Sequence, residues 1–144
     1  RGLGDVYKRQ IKKHFNKVGL RFMANHGNII LMDINENLKE SLQISAEVLK
    51  EGKNLVIFPE GARTRDGKLQ DFKKFFGILS KELNIPVTVL GIDGAYKSMP
   101  FGSIFPRPAK IKLEVLGEVN PSGLSVEEIV NNSKEIIRVW KSGK

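Results

Sequence analysis

A carboxylate, a glycine and two guanidinium groups lie within six residues in the segment FPEGARTRDG, Phe58–Gly67, which is called the FPEG segment below. They belong to Glu60, Gly61, Arg63 and Arg65. An arginine offers a planar fork of donors that binds and orients a phosphate, and a glycine lets the backbone approach a ligand closely. The segment therefore predicts a site for a phosphorylated substrate. A solvated turn in which Glu60 pairs with Arg63 is an equally good interpretation of the residue types alone.

Short apolar runs separated by turn signals indicate the strands that would position this segment. The predicted strands are Asn28–Asp33, Asn54–Pro59, Pro86–Ile92 and Ile111–Val119. The first three are apolar on both faces and alternate with helical patterns, which predicts an α/β fold with a mostly parallel sheet flanked by helices. Ligands gather beyond the carboxyl ends of such strands, so the residues after Pro59 are expected at the ligand-binding edge.

Helical patterns fill the intervals between the runs. Helices are predicted over Ile11–Asn25, over Leu38–Glu51 with Asn37 as its cap, from Asp71 to Leu83, and from Ser125 to Trp140. Ser125 and Glu128 have the spacing of a capping box. The apolar stripe of the third helix is interpreted as core, and the segment that follows the third strand holds better candidates for a membrane interface. These candidates are Phe101 and Phe105, which lie beside Lys97 and Arg107.

Composition limits the function classes. The chain has 144 residues, enough for one domain with an ordinary core, and its 40% hydrophobic and 28% charged content is typical of globular proteins. It has no cysteine, which excludes disulfides, thiolate metal sites and a cysteine nucleophile. The net charge of +8 favours an anionic partner, either nucleic acid, an acidic membrane surface or a phosphorylated substrate. No apolar run is long enough to span a bilayer.

The FPEG segment resembles block III of the glycerolipid acyltransferases, the PlsC-like family of 1-acylglycerol-3-phosphate acyltransferases, in which the pattern is FPEGTRS. Five residues match, and Ala62 and Thr64 replace the Thr and Ser of the pattern. The matching residues are Phe58, Pro59, Glu60, Gly61 and Arg63.

Segments on both sides extend the resemblance. Asp71–Lys74 is similar to the PFKxG segment of the family, with Phe75 in place of its glycine, and Ile85–Ile92 resembles block IV. Asn28–Asp33 has the place of block II, with Ile34 where arginine is usual. In detail, MDINENLKESLQ and FKKFFGILSKELNIP are similar to the acyltransferase domain that is fused to long-chain acyl-CoA or acyl-ACP synthetases.

The resemblance implies transfer of a fatty acyl group from acyl-ACP or acyl-CoA to glycerol 3-phosphate or a lysophospholipid, with no metal, cofactor or covalent enzyme intermediate. Gly61 and Arg63 would contact the acceptor phosphate, Glu60 would support the site, and Lys73 is a further candidate for the anion. Arg65 is also predicted to bind substrate, and Pro86 has the place that the family links to acyl handling.

The general base of the family is the histidine of an HxxxxD motif, and this chain has none. The residue five positions after His14 is Gly19, and the one five positions after His26 is Leu31. We therefore expect this chain to be inactive or nearly so by itself. Residues 1–10 have no periodicity and are interpreted as a non-native or linker sequence, and 11–144 as the C-terminal portion of one acyltransferase domain.

The expected partners are the acyl donor, the phosphorylated acceptor, an anionic membrane surface and a fused synthetase domain, without nucleic acid. The expected location is cytoplasmic, at the inner face of the cell membrane. Two alternatives stay open at this point. One is a non-enzymatic module of the same fold that binds anionic lipid, and the other is a nucleic-acid binder, which the charge of +8 also allows.

Overall fold

The computed structural model describes residues 37–62 and 64–143. Three features of the sequence lie outside these residues: the predicted helix Ile11–Asn25, the predicted strand Asn28–Asp33, and Arg63. The chain divides into two compact units, Arg1–Leu55 and Val56–Lys144. Each unit is described by itself.

The first unit contains the helix α1, Leu38–Lys50, as the sequence predicts. Asn37 is its N-cap residue, but the Asn37 side chain makes no capping hydrogen bond. Gly52 follows the end of the helix, where its positive φ of 77° suits a glycine and its N–H donates to the Leu49 carbonyl oxygen. Its buried residues are Ser41, Ile44 and Ser45.

The described residues of the second unit form three helices and two strands. In chain order these are α2, Phe75–Leu83; β1, Val87–Asp93; α3, Ala95–Ser98; β2, Lys112–Val119; and α4, Val126–Ser142. No described helix is long and apolar enough to cross a membrane.

β1 and β2 form an antiparallel pair with Val87 opposite Val119 and Asp93 opposite Lys112. Two of the predicted strands are thus confirmed, but the mostly parallel sheet is not what the described residues form. The physical reason is that a parallel pair requires a crossover connection, commonly a helix that covers the sheet, whereas β1 returns to β2 through an irregular segment that holds only the four-residue α3. Residues 54–59, which were predicted as a strand, pair with no strand in the described part of the chain.

The core of the second unit lies where α2 and α4 pack with the two strands. Its buried residues are Phe76, Val89, Val119, Ile129 and Val130. The aromatic stripe of α2 is core, as predicted, with Phe75, Phe76 and Leu79 buried. α2 begins at Phe75 rather than at Asp71, which leaves Asp71–Lys74 free of the helix.

Two ion pairs join the start of α2 to α4 and hold the segment that follows the FPEG segment. Lys74 Nζ lies 2.6 Å from Glu127 Oε1, and Lys134 Nζ lies 2.6 Å from Asp71 Oδ1. The capping box predicted for α4 is confirmed, since the Glu128 N–H donates to Ser125 Oγ and the Ser125 N–H donates to Glu128 Oε2.

Candidate functional site

The FPEG segment lies between Ile57 and Phe72, two residues that pack against the buried cluster. Its base is closed by two backbone hydrogen bonds. The Gly61 N–H donates to the Phe58 carbonyl oxygen at 3.1 Å, and the Lys73 N–H donates to the Pro59 carbonyl oxygen at 2.8 Å. The second bond brings Lys73 against the start of the segment.

The Glu60 side chain joins the start of the FPEG segment to Gln70. The Gln70 N–H donates to Glu60 Oε2 at 2.7 Å, across ten residues of chain. A hydrogen bond to a charged acceptor is stronger than one between neutral groups, so this contact ties the two sides of the loop together. The predicted role of Glu60 in supporting the site stays a prediction.

Gly61 and Lys73 lie side by side. Gly61 has a φ of 70°, a conformation that L side chains seldom adopt, and a Cβ added there would lie 3.7 Å from Lys73 Cγ. The aliphatic stem of Lys73 therefore packs beside the Gly61 backbone. Lys73 forms no ion pair with a carboxylate in the described residues. An anion over Gly61 would have the Lys73 ammonium group within reach.

Two neighbouring lysines lie close to carboxylates. Lys74 pairs with Glu127, and Lys68 Nζ lies 3.8 Å from Asp66 Oδ2. The Lys68 N–H also donates to Asp66 Oδ1 at 3.0 Å, which holds the pKa of the Asp66 carboxyl below its usual value. Lys73 is therefore the lysine that the geometry leaves for a ligand at this loop.

Arg65 lies against a segment far along the chain. Its Cζ atom is 5.0 Å from the centre of the Phe101 ring, a cation–π contact, and the Tyr96 hydroxyl donates to the Arg65 carbonyl oxygen at 3.1 Å. A Cβ added to Gly67 would lie 3.6 Å from Tyr96 Cδ1. The end of the FPEG segment thus packs against the residues that follow β1.

The described part of the chain brings Glu60, Gly61 and Lys73 together, and it turns Arg65 toward Phe101. Pro86 lies beyond the far end of α2, a helix of nine residues that is about 13 Å long. Arg63 is outside the described residues. The roles of all six residues at the site stay predictions.

Sequence reasoning missed Gln70 and Tyr96, which donate hydrogen bonds to Glu60 and to Arg65 of the FPEG segment. A backbone donor such as the Gln70 N–H leaves no signal in the residue type. Among the described residues, no group of three or more His, Cys, Asp or Glu could hold a metal ion. His14 and His26 lie outside them.

The chain is similar to known proteins. The family model described as Acyltransferase matches residues 6–93. The chain is 30% identical over 105 residues to a 1-acyl-sn-glycerol-3-phosphate acyltransferase of Limnanthes douglasii, which covers 73% of this chain and 36% of that protein. It is 27% identical over 118 residues to the protein of the same name from Cocos nucifera, which covers 82% of this chain and 38% of that protein.

A solved structure is also similar. The crystal structure of the 1-acyl-sn-glycerophosphate (LPA) acyltransferase PlsC from Thermotoga maritima matches with a TM-score of 0.65 and 33% identity. The match covers 69% of this chain and 42% of that one. The chain spans a little over a third of the length of the two plant relatives.

Proposed function

Since this chain belongs to the Acyltransferase family, we propose that it is part of an enzyme that transfers a fatty acyl group from acyl-CoA or acyl-ACP to 1-acylglycerol 3-phosphate. The relatives named for that acceptor support the proposal. Within the reaction, the FPEG segment holds the phosphate of the acceptor.

The contact between Gly61 and Lys73 is the observation that carries this proposal. Gly61 offers an exposed backbone at positive φ, and the stem of Lys73 packs beside it in a loop that Glu60 helps to close. A lysine binds phosphate as a point charge, and Arg63 would add the planar fork that orients it. The phosphate, once held, fixes the distance of the acceptor hydroxyl from the acyl donor.

We propose that this chain binds the acceptor but transfers little acyl group by itself. Attack on a thioester needs a base that takes the proton of the acceptor hydroxyl, and no histidine of this sequence has an aspartate five residues later. General-base catalysis typically contributes about 10²- to 10⁴-fold in rate. The residues present bind and orient the acceptor.

Calorimetric titration of the full 144-residue chain with glycerol 3-phosphate and with glycerol tests the acceptor site. Binding of glycerol 3-phosphate with no detectable binding of glycerol is expected. Lys73→Met should weaken the binding of glycerol 3-phosphate about fivefold to tenfold, since one charge-assisted contact is lost. Lys81→Met, which removes a lysine of α2 away from the loop, is the matched control and should bind like the wild type.

Arg63→Ala is the second variant, and it should weaken the same binding at least as much as Lys73→Met does. Equal affinities for glycerol 3-phosphate and glycerol, or equal losses in Lys73→Met and Lys81→Met, would contradict the acceptor site. Binding to vesicles of an anionic lipid without any binding of glycerol 3-phosphate would favour the alternative, a non-enzymatic module for anionic lipid.

A further inference from the structure

The residues between α3 and β2 form a closed loop with an apolar tip, Ser98–Arg107, which is called the apolar loop below. The Arg107 N–H donates to the Ser98 carbonyl oxygen at 2.7 Å, and Ser98 Oγ donates to the Arg107 carbonyl oxygen at 3.1 Å. Inside the loop, the Ser103 N–H donates to the Pro100 carbonyl oxygen at 3.1 Å, and Ser103 Oγ donates to the Phe105 carbonyl oxygen at 2.8 Å. These bonds fix the backbone that carries the tip.

The large side chains of this tip point away from the core. Ile104 is 82% exposed, Phe105 is 78% exposed and Phe101 is 53% exposed. A group of exposed large apolar side chains on a backbone held by its own hydrogen bonds is typical of a surface that binds a partner. Because the loop is already ordered, presenting this tip costs little conformational entropy.

The charge around the tip indicates the chemistry of that partner. From Ala95 to Leu113 the sequence contains four basic residues and no acidic one. The basic residues are Lys97, Arg107, Lys110 and Lys112. Apolar side chains flanked by cations match a bilayer with anionic lipid, in which the apolar groups enter the interface and the cations meet the headgroups.

We propose that the apolar loop docks this protein on an anionic membrane surface. The contact of Arg65 with Phe101 and the hydrogen bond from Tyr96 to the Arg65 carbonyl oxygen couple the loop to the FPEG segment. Docking therefore places the proposed phosphate site at the level of the headgroups. The binding of the bilayer itself does not depend on acyl transfer.

Co-sedimentation of the full chain with vesicles tests the proposal. The vesicles consist of phosphatidylcholine alone or of phosphatidylcholine with phosphatidylglycerol, and they contain no lysophospholipid. The wild type should bind only the vesicles with phosphatidylglycerol. The double variant Ile104→Ser/Phe105→Ser should bind them at least about tenfold more weakly, because two apolar side chains no longer enter the interface.

The matched control is Val139→Ser, which removes an exposed apolar side chain of α4 and should leave vesicle binding unchanged. Arg107→Gln should weaken binding about fivefold, the effect of one cation near an anionic surface. Phe105→Trp gives a direct readout of contact: its emission should shift to shorter wavelength when vesicles with phosphatidylglycerol are added, beyond the change of Trp140 in the wild type.

Several results would overturn the proposal. They are unchanged vesicle binding in the double variant, equal binding to vesicles without phosphatidylglycerol, or an unshifted tryptophan at position 105. A wild-type dimer that the double variant converts to a monomer, with vesicle binding unaffected, would make the loop an interface between two copies of the chain. Because the vesicles carry no acceptor, their binding is independent of the titration with glycerol 3-phosphate, and either proposal can fail alone.

Discussion

The Glu60 carboxylate accepts the N–H of Gln70 at 2.7 Å, so that an acidic side chain closes a loop that we propose binds an anion. A carboxylate beside a phosphate site weakens it by repulsion, and its presence is explained by the bond that it makes. The bond joins the two sides of the loop that carries Gly61, beside the backbone bond from Lys73 to Pro59.

Two substitutions at Glu60 separate the effect of its hydrogen bond on binding from the effect of its charge. In Glu60→Gln the amide oxygen still accepts the Gln70 N–H and the repulsion is gone, so binding of glycerol 3-phosphate should equal or exceed that of the wild type. In Glu60→Ala the bond is lost, and binding should weaken about threefold to tenfold. Calorimetric titration measures both. Equal binding in Glu60→Ala and Glu60→Gln, both tighter than in the wild type, would mean that Glu60 acts only through its charge.

The backbone of Gly61 gives a prediction for stability. Gly61→Ala fits sterically but places an L residue at a φ of 70°, and it should lower the free energy of unfolding by about 1 kcal/mol. Asn tolerates this conformation better, so Gly61→Asn should cost less. Urea unfolding followed by circular dichroism compares the two, and an equal cost for both variants would argue against a left-handed backbone at this position.

Gly77 gives the opposite case, in which space rather than conformation forbids a side chain. A Cβ there would lie 2.8 Å from Val130 Cγ2 and 3.1 Å from the Val126 carbonyl oxygen. Gly77→Ala should therefore lower the free energy of unfolding by about 1–2 kcal/mol, although alanine favours a helix by about 1 kcal/mol.

A control and a rescue accompany the Gly77 variant. Gly117→Ala meets Ile136 Cδ1 at 3.7 Å, an ordinary contact, and should leave stability unchanged or slightly raised. The double variant Gly77→Ala/Val130→Ala removes the clash, so its cost should be smaller than the sum of the two single costs. Additive costs in urea unfolding would show that Gly77 and Val130 do not meet.

Acid should weaken the second unit in a predictable range. Lys134 and Lys74 hold the pKa values of the Asp71 and Glu127 carboxyls below their ordinary values of 3.8 and 4.5. A carboxyl whose pKa is lowered by folding stabilises the folded protein at pH values above the ordinary pKa of that carboxyl. This stabilisation is lost as the pH falls and the folded protein takes up the proton.

The urea midpoint should therefore decrease as the pH is lowered from about 5 to about 3. Lys74→Met removes the partner of Glu127 and should make this decrease smaller, while Lys97→Met changes neither ion pair and should follow the wild type. An identical decrease in Lys74→Met and wild type would mean that the pair with Glu127 contributes nothing to stability.

Elements were predictable from the sequence where the signal for them lies in neighbouring residues. The capping box of Ser125 and Glu128 and the apolar run of β1 depend on neighbouring residues, and both are found. The sheet was not predictable in this way, because the direction of pairing between β1 and β2 depends on the path of the chain between them. The apolar run Asn54–Pro59 carried the same signal as β1, yet Val56 and Phe58 are exposed.

The candidate site was also predictable only in part. Residue types and the resemblance pointed to Glu60, Gly61 and Lys73, and the structure places these three together. The hydrogen bond from Gln70 and the contact of Arg65 with Phe101 each join two segments of the chain. The spacing of residues in the sequence does not predict that these segments meet. A charge pattern could not distinguish Lys73 from Lys74, because the partner of Lys74 is 53 residues away.

The contacts that α4 makes with the FPEG segment and with the residues after it can form only late in the synthesis of the chain. Lys74 bonds to a residue 53 positions later, Asp71 to one 63 positions later and the Gly67 carbonyl oxygen to Lys141, 74 positions later. At a synthesis rate of about 5–20 residues per second, Lys141 is added about 4–15 s after Gly67. During that interval a nascent chain carries the loop without these three supports, and the loop gains them only when α4 has left the ribosome.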